Sequence, residues 1–209
     1  MFTGIIEEIG TVVQVSKRSN TTFIGIKGMK VLDDLKKGDY ISVDGVCLTV
    51  EDIKQRTFYA SLSLETLRLT TFEYIKHGTL VNLERAVKYG SRVGGHLLSG
   101  HIDFKARIIS KRKEGENSII LVRVPSKFSV YFLKKGSVGI DGISLTIADI
   151  VDDTIAIWLI PYTIENTTMK FKKAGDYVNV EIDMMIKALI ENRLNLKRKD
   201  EKISKEAVL

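Results

Sequence analysis

The sequence predicts an all-β protein built from two tandem, homologous antiparallel barrels followed by one C-terminal α-helix. Three observations support this prediction. Most of the chain repeats itself once, its segments are short and rich in β-branched residues, and helical periodicity is confined to the last part. A chain of 209 residues is long enough for two small domains of this kind.

The internal repeat is the main organisational feature of the chain. The segment KKGDYISVDGVCLTV at residues 36–50 returns as KKGSVGIDGISLTI at residues 134–147, with one residue deleted. Asp44 and Gly45 correspond to Asp141 and Gly142, each 97 residues later, and the same offset pairs positions 84 and 181. The starts also agree, because FTGII at residues 2–6 matches LSGHI at residues 98–102. A repeat of this length indicates a duplicated domain rather than a short-period solenoid.

Within each copy the local pattern is typical of β-strands. IGTVVQV, TFIGIK, VCLTVED and TLVNLERA are short and β-branched, and turn signals such as Asp-Gly and Lys-Lys-Gly separate them. Strands at this spacing fit a small closed or nearly closed barrel, which removes exposed sheet edges. Four glycines in residues 89–100 mark the connection between the copies. We therefore predict domains at residues 1–92 and 93–186.

The pattern changes after Asp183, where the second copy ends. Ile186, Leu189, Ile190 and Leu194 recur at helical spacing with charged residues between them. This spacing predicts an amphipathic helix and tail in residues 187–209. An apolar stripe must be buried, either on the chain's own barrels or against other copies of the chain, and the pattern favours self-association.

Charge and composition exclude several classes of function. The net charge is +6, and residues 187–209 carry seven basic and four acidic residues, or +3, so half of the excess lies in the tail. No aromatic residues interleave with these lysines to stack bases, so we expect no nucleic-acid partner. No apolar run approaches the ~18 residues of a membrane span, and no basic leader with an apolar run is present. We expect no membrane partner and a cytoplasmic protein.

Each copy places two small polar side chains on one side of a predicted strand. Cys47 and Thr49 are two residues apart, as are Ser144 and Thr146, so each pair faces the same way. One interpretation is structural, with a buried cysteine and hydroxyls that fill a barrel. The repeated Gly-x-[Cys/Ser]-Leu-Thr cassette favours the other, that both copies bind the same polar ring. Only the first copy has a sulfur, so two sites with identical ligands would have different chemical roles.

Histidine provides a second difference between the copies. His101 stands where the first copy has Ile5, and an imidazole suits proton abstraction at neutral pH, although a structural role is the alternative. His96 precedes it by five residues, a spacing that places the two rings on one face of neither a strand nor a helix. With a single cysteine and no accompanying ligand, we predict no metal site and no disulfide. Glycine-rich nucleotide motifs are also missing, so we predict no cofactor.

Six motifs occur in the right order for one known family. MFTGI, VDGVCLTV, SLETLRLTT, GGHLLSGHID, KGSVGIDGISLTI and LIPYTIENTT resemble the riboflavin synthase α-chain family over residues 1–186. The resemblance implies two six-stranded Greek-key barrels that each hold one lumazine. It also implies a homotrimer assembled through the C-terminal helices, with the active site between barrels of different subunits. Association with lumazine synthase is left open.

The resemblance assigns residues to two pockets. The first pocket would use Cys47, Leu48, Thr49, Ser61, Leu62, Ser63, Leu64, Glu65, Thr66, Gly100, His101 and Ile102. The second pocket would use Gly4, Ile5, Ile6, Ser144, Leu145, Thr146, Leu159, Ile160, Pro161, Tyr162, Thr163 and Ile164. Lys135 would reach the ligand of a neighbouring subunit.

The implied reaction is a dismutation of two molecules of 6,7-dimethyl-8-ribityllumazine. One gives a four-carbon unit to the other, yielding riboflavin and 5-amino-6-(ribitylamino)uracil without an external redox cofactor. His101 would take a proton from the C7 methyl group of one lumazine, and Cys47 or a water that it orients would add to C7 of the other. Ser144, Thr146 and Thr49 would orient the rings. The alternative is a non-catalytic lumazine- or flavin-binding relative, like the antenna proteins of bioluminescence.

Overall fold

Each copy of the repeat folds into its own β-sheet, which curls around a separate hydrophobic core. The computed structural model describes residues 1–206, with side chains for residues 1–196. The strands of the first copy are β1 (Glu8–Arg18), β2 (Thr21–Lys27), β3 (Tyr40–Val43), β4 (Val46–Thr49), β5 (Asp52–Lys54), β6 (Thr57–Leu62) and β7 (Leu80–Arg85). Those of the second copy are β8 (Phe104–Glu114), β9 (Asn117–Arg123), β10 (Ser137–Ile140), β11 (Ile143–Val151), β12 (Thr154–Leu159) and β13 (Tyr177–Ile182).

Helical segments occupy equivalent places in the two copies. The α-helices are α1 (Leu64–Leu69), α2 (Pro161–Asn166) and α3 (Met184–Glu206). Short 3-10 helices span Lys30–Asp33, Thr71–Tyr74, Ser126–Tyr131 and Thr168–Lys170. Helices α1 and α2 each follow the strand that precedes the last one of their copy, β6 and β12.

The second copy is a closed barrel with strand order β10-β11-β12-β9-β8-β13, in which β13 also pairs with β10. All its pairs are antiparallel, and the chain crosses from β9 to β10 without pairing them, which is Greek-key connectivity. The first copy has the matching order β4-β3-β7-β1-β2-β6-β5. The prediction of two tandem six-stranded barrels and a C-terminal helix is confirmed.

One strand differs between the copies. Strand β11 is continuous, whereas its counterpart in the first copy is divided into β4 and β5. The division falls at Val50 and Glu51, and the register of β11 against β12 shifts at the equivalent place, between Ile147 and Asp149. Barrels bend their strands sharply at such irregularities. The sequence alone predicts one strand here, because the alternation of side chains continues through the bend.

The two cores are separate clusters of alternating strand residues. The first includes Ile26, Ile41 and Leu83, and the second includes Ile108, Ile140 and Ile157, all fully buried. Each barrel therefore has its own hydrophobic core.

The duplicated Asp-Gly turns meet where the barrels touch. Asp44 and Gly45 have φ of 44° and 83°, and Asp141 and Gly142 have φ of 46° and 79°, which suits two-residue hairpin turns. A Cβ atom on Gly45 would lie 2.7 Å from the backbone nitrogen of Gly142. The close approach therefore requires glycine.

Two asparagines hold this contact together reciprocally. The side-chain amide of Asn82 donates to the carbonyl of Asp141 (2.9 Å), and that of Asn179 donates to the carbonyl of Asp44 (2.8 Å). Asn82 and Asn179 are 1% and 0% exposed. Every one of these groups occurs in both copies, so the contact between the barrels follows from the duplication.

The contact also buries charge. Lys172 Nζ lies 3.0 Å from Asp141 Oδ2 and donates to the carbonyl of Tyr177 (2.7 Å). Burial, and then the negative charge of Asp141, raise the pKa of Asp44 well above its ordinary value. Position 172 matches Ile75 in the first copy, so two buried carboxyl groups share one cation.

Removing the carboxylate of Asp44, which is not the one paired directly with Lys172, should stabilise the protein at neutral and alkaline pH. Because the pKa of Asp44 is higher in the folded protein, its carboxyl group costs no stability below the unfolded pKa and costs more as the pH rises from the unfolded to the folded pKa. The new side chain in Asp44→Asn can still accept from the backbone N–H of Asn82, as Asp44 does at 2.7 Å. We expect Asp44→Asn to have a higher Tm than the wild type at pH 8 and a smaller gain at pH 5, because the cost of the carboxylate grows by about 1.4 kcal/mol for each pH unit between its unfolded and folded pKa.

Asp141→Asn is the matched control, because it removes the carboxylate that pairs directly with Lys172. It should stabilise the protein less than Asp44→Asn does, because burial also raises the pKa of Asp141, whereas the charge that is removed is the direct partner of Lys172. Thermal unfolding of the three proteins at both pH values measures these effects. Equal changes in the two variants would contradict the assignment of the charge pair.

The C-terminal helix begins where Asp183 caps it. Asp183 Oδ1 accepts a hydrogen bond from the backbone N–H of Met185 (2.9 Å), as an N-cap residue does. Lys187 pairs with Asp103, and the Tyr131 hydroxyl donates to Glu191, so α3 lies against the second barrel. Ile186, Ile190 and Leu194 are half-buried, whereas Leu189 is 67% exposed.

Candidate functional site

The first pocket forms where the start of the second copy crosses the cassette of the first barrel. Along β4, Val46 and Leu48 are buried in the core, while Cys47 and Thr49 point outward. The backbone N–H of Cys47 donates to the carbonyl of Gly100 (2.8 Å), so the segment at residues 100–102 lies directly over the thiol.

A cavity of about 260 Å³ opens at this crossing. It is lined by Val46, Cys47, Ser63, Glu65, Thr66, Leu69, Thr70, Gly100, His101 and Ile102. Seven of these are residues that the family resemblance assigns to the first pocket. Residues from both copies therefore line one cavity, although more than fifty positions separate Cys47 from His101 in the sequence.

Five residues assigned to the first pocket do not line this cavity, namely Leu48, Thr49, Ser61, Leu62 and Leu64. Leu48 and Leu62 are in the barrel core, and Thr49 and Leu64 are exposed. The Ser61 hydroxyl donates to Glu51. Ser63 caps α1 by accepting from the backbone N–H of Thr66 (3.1 Å), which fixes the helix that forms one wall.

The residues assigned to the second pocket lie at an equivalent crossing. Here the start of the first copy crosses the cassette of the second barrel. The backbone N–H of Ser144 on β11 donates to the carbonyl of Gly4 (2.9 Å), so the start of the first copy lies over the second barrel. Gly4 and Gly100 both have positive φ, 77° and 82°. A Cβ atom on either would lie 2.5 Å from the Cβ atom of the residue below it, Ser144 or Cys47, so both crossings require glycine.

The residues assigned to the second pocket are more exposed and more apolar. Ile5, Ile160 and Tyr162 are 50%, 55% and 71% exposed. Leu145 and Leu159 are in the core, Gly4 is buried, Ile6, Pro161, Thr163 and Ile164 are half-buried, and Thr146 and Lys135 are exposed. A surface of this kind is open to a ligand or to another protein chain.

His96 contacts Ser144, one of the residues assigned to the second pocket, and sequence reasoning missed this contact. Its Nδ1 lies 2.6 Å from the Ser144 hydroxyl oxygen, and its Nε2 is buried with no hydrogen-bond partner among the described residues. Burial lowers the pKa of His96, which favours the neutral imidazole. The two glycines that precede His96 are the sequence feature that could have indicated this close contact. A Cβ atom on Gly95 would lie 2.2 Å from the carbonyl oxygen of Thr3.

The two pockets differ chemically at the positions that the sequence singled out. The first contains a thiol and His101, and the second contains Ser144 and Ile5 at the matching places. Burial raises the pKa of the Cys47 thiol, the amino terminus lowers it, and the charge of Glu181 raises it again. A raised pKa favours the neutral thiol, which can donate a hydrogen bond but is a poor nucleophile.

Other features of the described residues lie outside these pockets. A larger cavity of about 450 Å³ at the contact between the barrels is lined by Asp44, Tyr74, Lys172 and Tyr177, among others, and by none of the predicted site residues. Within residues 1–196 no group of three metal-binding side chains is present. None of the described helices has the length and apolar character needed to cross a membrane.

Comparison with known proteins identifies the repeated unit. The family model described as "Lumazine binding domain" matches residues 3–86 and again residues 99–183. The chain is 41% identical to a riboflavin synthase from Actinobacillus pleuropneumoniae, with 96% of this chain and 93% of that protein covered. It is 40% identical to a riboflavin synthase from Bacillus subtilis, with 88% and 86% covered.

Solved structures of LumP have a fold similar to that of this chain. A structure of LumP complexed with riboflavin superposes with a TM-score of 0.82 at 30% identity, over 87% of this chain and 99% of LumP. A structure of LumP complexed with 6,7-dimethyl-8-(1'-D-ribityl)lumazine superposes with a TM-score of 0.79, also at 30% identity, over 87% of this chain and 98% of LumP.

Proposed function

Since this chain belongs to the riboflavin synthase family, we propose that its two pockets each hold one lumazine and that Cys47, His101, Ser144 and Thr146 carry the reaction. The protein converts two molecules of 6,7-dimethyl-8-ribityllumazine into riboflavin and 5-amino-6-(ribitylamino)uracil. Donor and acceptor are the same compound, so the oxidised and reduced products balance without an external redox cofactor.

The observation that carries the proposal is the reciprocal crossing. Each cassette is covered by the starting segment of the other copy, through the Cys47–Gly100 and Ser144–Gly4 hydrogen bonds. Two sites built by the same crossing suit two identical substrates. Their differences, Cys47 against Ser144 and His101 against Ile5, give the two substrates different chemical surroundings, which a transfer from one to the other requires.

His101 is the proposed base, because it lines the cavity of the first pocket beside Cys47. It would take a proton from the acidic C7 methyl group of one lumazine. The neutral thiol of Cys47 would orient the water that adds to C7 of the other lumazine, since burial disfavours its thiolate form. Ser144 and Thr146 would orient the ring in the second pocket, with His96 fixing the hydroxyl of Ser144.

The exposure of the second pocket supports a site shared between subunits. Ile160 and Tyr162 are 55% and 71% exposed, and Lys135 is exposed and accessible to a neighbouring chain. On α3, Met185 and Leu189 are 68% and 67% exposed. We propose that three copies assemble through α3 and bring a first pocket of one subunit against a second pocket of another. A cytoplasmic location and association with lumazine synthase remain predictions.

Turnover of lumazine by the purified protein tests the function directly. We expect riboflavin and 5-amino-6-(ribitylamino)uracil to appear in equal amounts. Cys47→Ala should lower kcat substantially while lumazine affinity stays within a few-fold, because it removes the group that orients the water but keeps the backbone hydrogen bond to Gly100. Fluorescence titration of lumazine and a continuous riboflavin assay measure the two quantities.

Two outcomes would contradict these expectations. Stable lumazine fluorescence with no product would favour a binding protein without turnover, the function suggested by the likeness to LumP structures with bound lumazine and riboflavin. An unchanged kcat in Cys47→Ala would return the cysteine to a packing role. Because Cys47 is the single cysteine of the chain, alkylation of the wild type modifies no other thiol and provides an independent check.

A further inference from the structure

We propose that two buried glutamates, Glu181 and Glu84, are positioning residues that each fix one pocket by holding the segment that crosses it. Glu181 would act on the first pocket through His101, and Glu84 on the second pocket through the segment that contains Gly4. The proposal rests on the proposed function, because it assigns the positioned segments to the two lumazine sites.

Glu181 binds the crossing segment of the first pocket through three donors. Its Oε1 accepts from the backbone N–H of Ser99 (2.6 Å) and from the Ser99 hydroxyl (2.7 Å), and its Oε2 accepts from the backbone N–H of Gly100 (3.0 Å). Glu181 is 3% exposed, on β13. A buried carboxylate with three donors fixes a backbone segment strongly, since both of its oxygens are engaged.

The position of His101 depends on these three hydrogen bonds to Glu181, which we call the clamp. The backbone N–H of His101 donates to the Ser99 hydroxyl oxygen (3.2 Å), which is itself bound to Glu181. On the other side, the carbonyl of Gly100 accepts from Cys47. The imidazole is therefore attached to a segment whose backbone is held both by the cassette below it and by Glu181.

Glu84 makes the same set of bonds in the other copy. Its Oε1 accepts from the backbone N–H and the hydroxyl of Thr3 (2.8 Å each), and its Oε2 accepts from the backbone N–H of Gly4 (3.0 Å). Glu84 is 5% exposed, on β7. The two clamps have similar burial and the same bonding pattern, but only one of them holds a segment with a titratable side chain. Each is the matched control for the other.

Glutamine is the informative replacement at both positions. It has nearly the same size, but only one of its two terminal atoms can accept a hydrogen bond, whereas the clamp needs two acceptors. At least one of the three donors then faces an amide N–H₂ group. The segment should shift away from it, while the cassette strand stays in its barrel.

Glu181 also affects Cys47 through space, which provides a readout apart from turnover. Its negative charge is one of the causes that raise the pKa of the thiol, after burial and against the amino terminus. Glu181→Gln should therefore increase the rate of Cys47 alkylation at fixed pH, and Glu84→Gln should not. Glu65 and His101 line the same cavity and remain unchanged in both variants.

The experiment compares full-length Glu181→Gln, Glu84→Gln and wild type in lumazine turnover and in alkylation of Cys47 by iodoacetamide. We expect Glu181→Gln to lower kcat about 10- to 100-fold with KM within a few-fold, since a misplacement of about 1 Å can cost this much. Glu84→Gln should mainly raise KM. Equal effects of the two variants on both kcat and alkylation would overturn the proposal.

A second pair of variants keeps the proposal testable if Glu181→Gln does not fold. Ser99→Thr keeps the hydroxyl, as Thr3 does in the first copy, and Ser99→Ala removes it. We expect wild-type kcat from Ser99→Thr and a lower kcat from Ser99→Ala, whereas equal kcat values would overturn the proposal. If no variant or wild type forms riboflavin, the proposed function fails, and the alkylation rates still decide whether Glu181 controls the first pocket.

Discussion

Replacing His101 with glutamine is expected to lower kcat by about 10²–10⁴-fold, the usual contribution of a positioned general base. His101 lines the cavity that also contains Cys47, and its counterpart in the other copy is Ile5, which cannot move a proton. Its side chain is exposed, so glutamine should leave the fold unchanged. The variant isolates the chemistry of the imidazole from its packing.

The pH dependence of the same variant tests the role more sharply than the rate. A base must be unprotonated to accept a proton, so wild-type activity should fall on the acid side of the profile, and His101→Gln should have a flatter acid limb. His77→Gln is the control, because His77 is exposed and lies in neither pocket. An acid limb of unchanged shape in His101→Gln would assign proton removal to another group, such as water.

Truncation after Ile186 is expected to abolish most of the activity at low protein concentration without unfolding either barrel. Each barrel keeps its own core. The truncation removes the partly exposed pairs Lys187–Asp103 and Tyr131–Glu191, and pairs of this kind contribute little to stability. Sedimentation should show a largely monomeric protein that still binds lumazine. Activity should recover in part as the concentration rises, because the shared site then forms by association.

A point variant separates assembly from loss of the helix. Leu189 is 67% exposed in the single chain, so Leu189→Glu should cost the monomer little but place a charge in an interface between copies. Asn195→Glu adds the same charge on another face of α3 and should behave as the wild type. A truncated monomer with full activity at every concentration would rule out a site shared between subunits.

The sequence determined the duplication, and most of the fold follows from it. Alternating strand residues specify which face is buried, and the recurrence of the same pattern at an offset of 97 residues specifies a second barrel. Cys47 and Ser144 could be found because the glycine, leucine and threonine around them recur at equivalent positions. These signals are local or repeated, so a single chain displays them.

Only the tertiary structure decided how the copies combine. That Gly100 covers Cys47 and Gly4 covers Ser144 depends on which barrel each starting segment crosses, and spacing along the chain does not encode this. The sequence showed Glu181 only as an acidic residue that recurs in both copies. Its hydrogen bonds could not be predicted, because the donors are 81 and 82 positions away in the chain. His96 likewise acquires its role only once the chain brings it 2.6 Å from Ser144. Hydrogen bonds and burial depend on distance in space, and for groups this far apart in the chain the topology alone sets that distance.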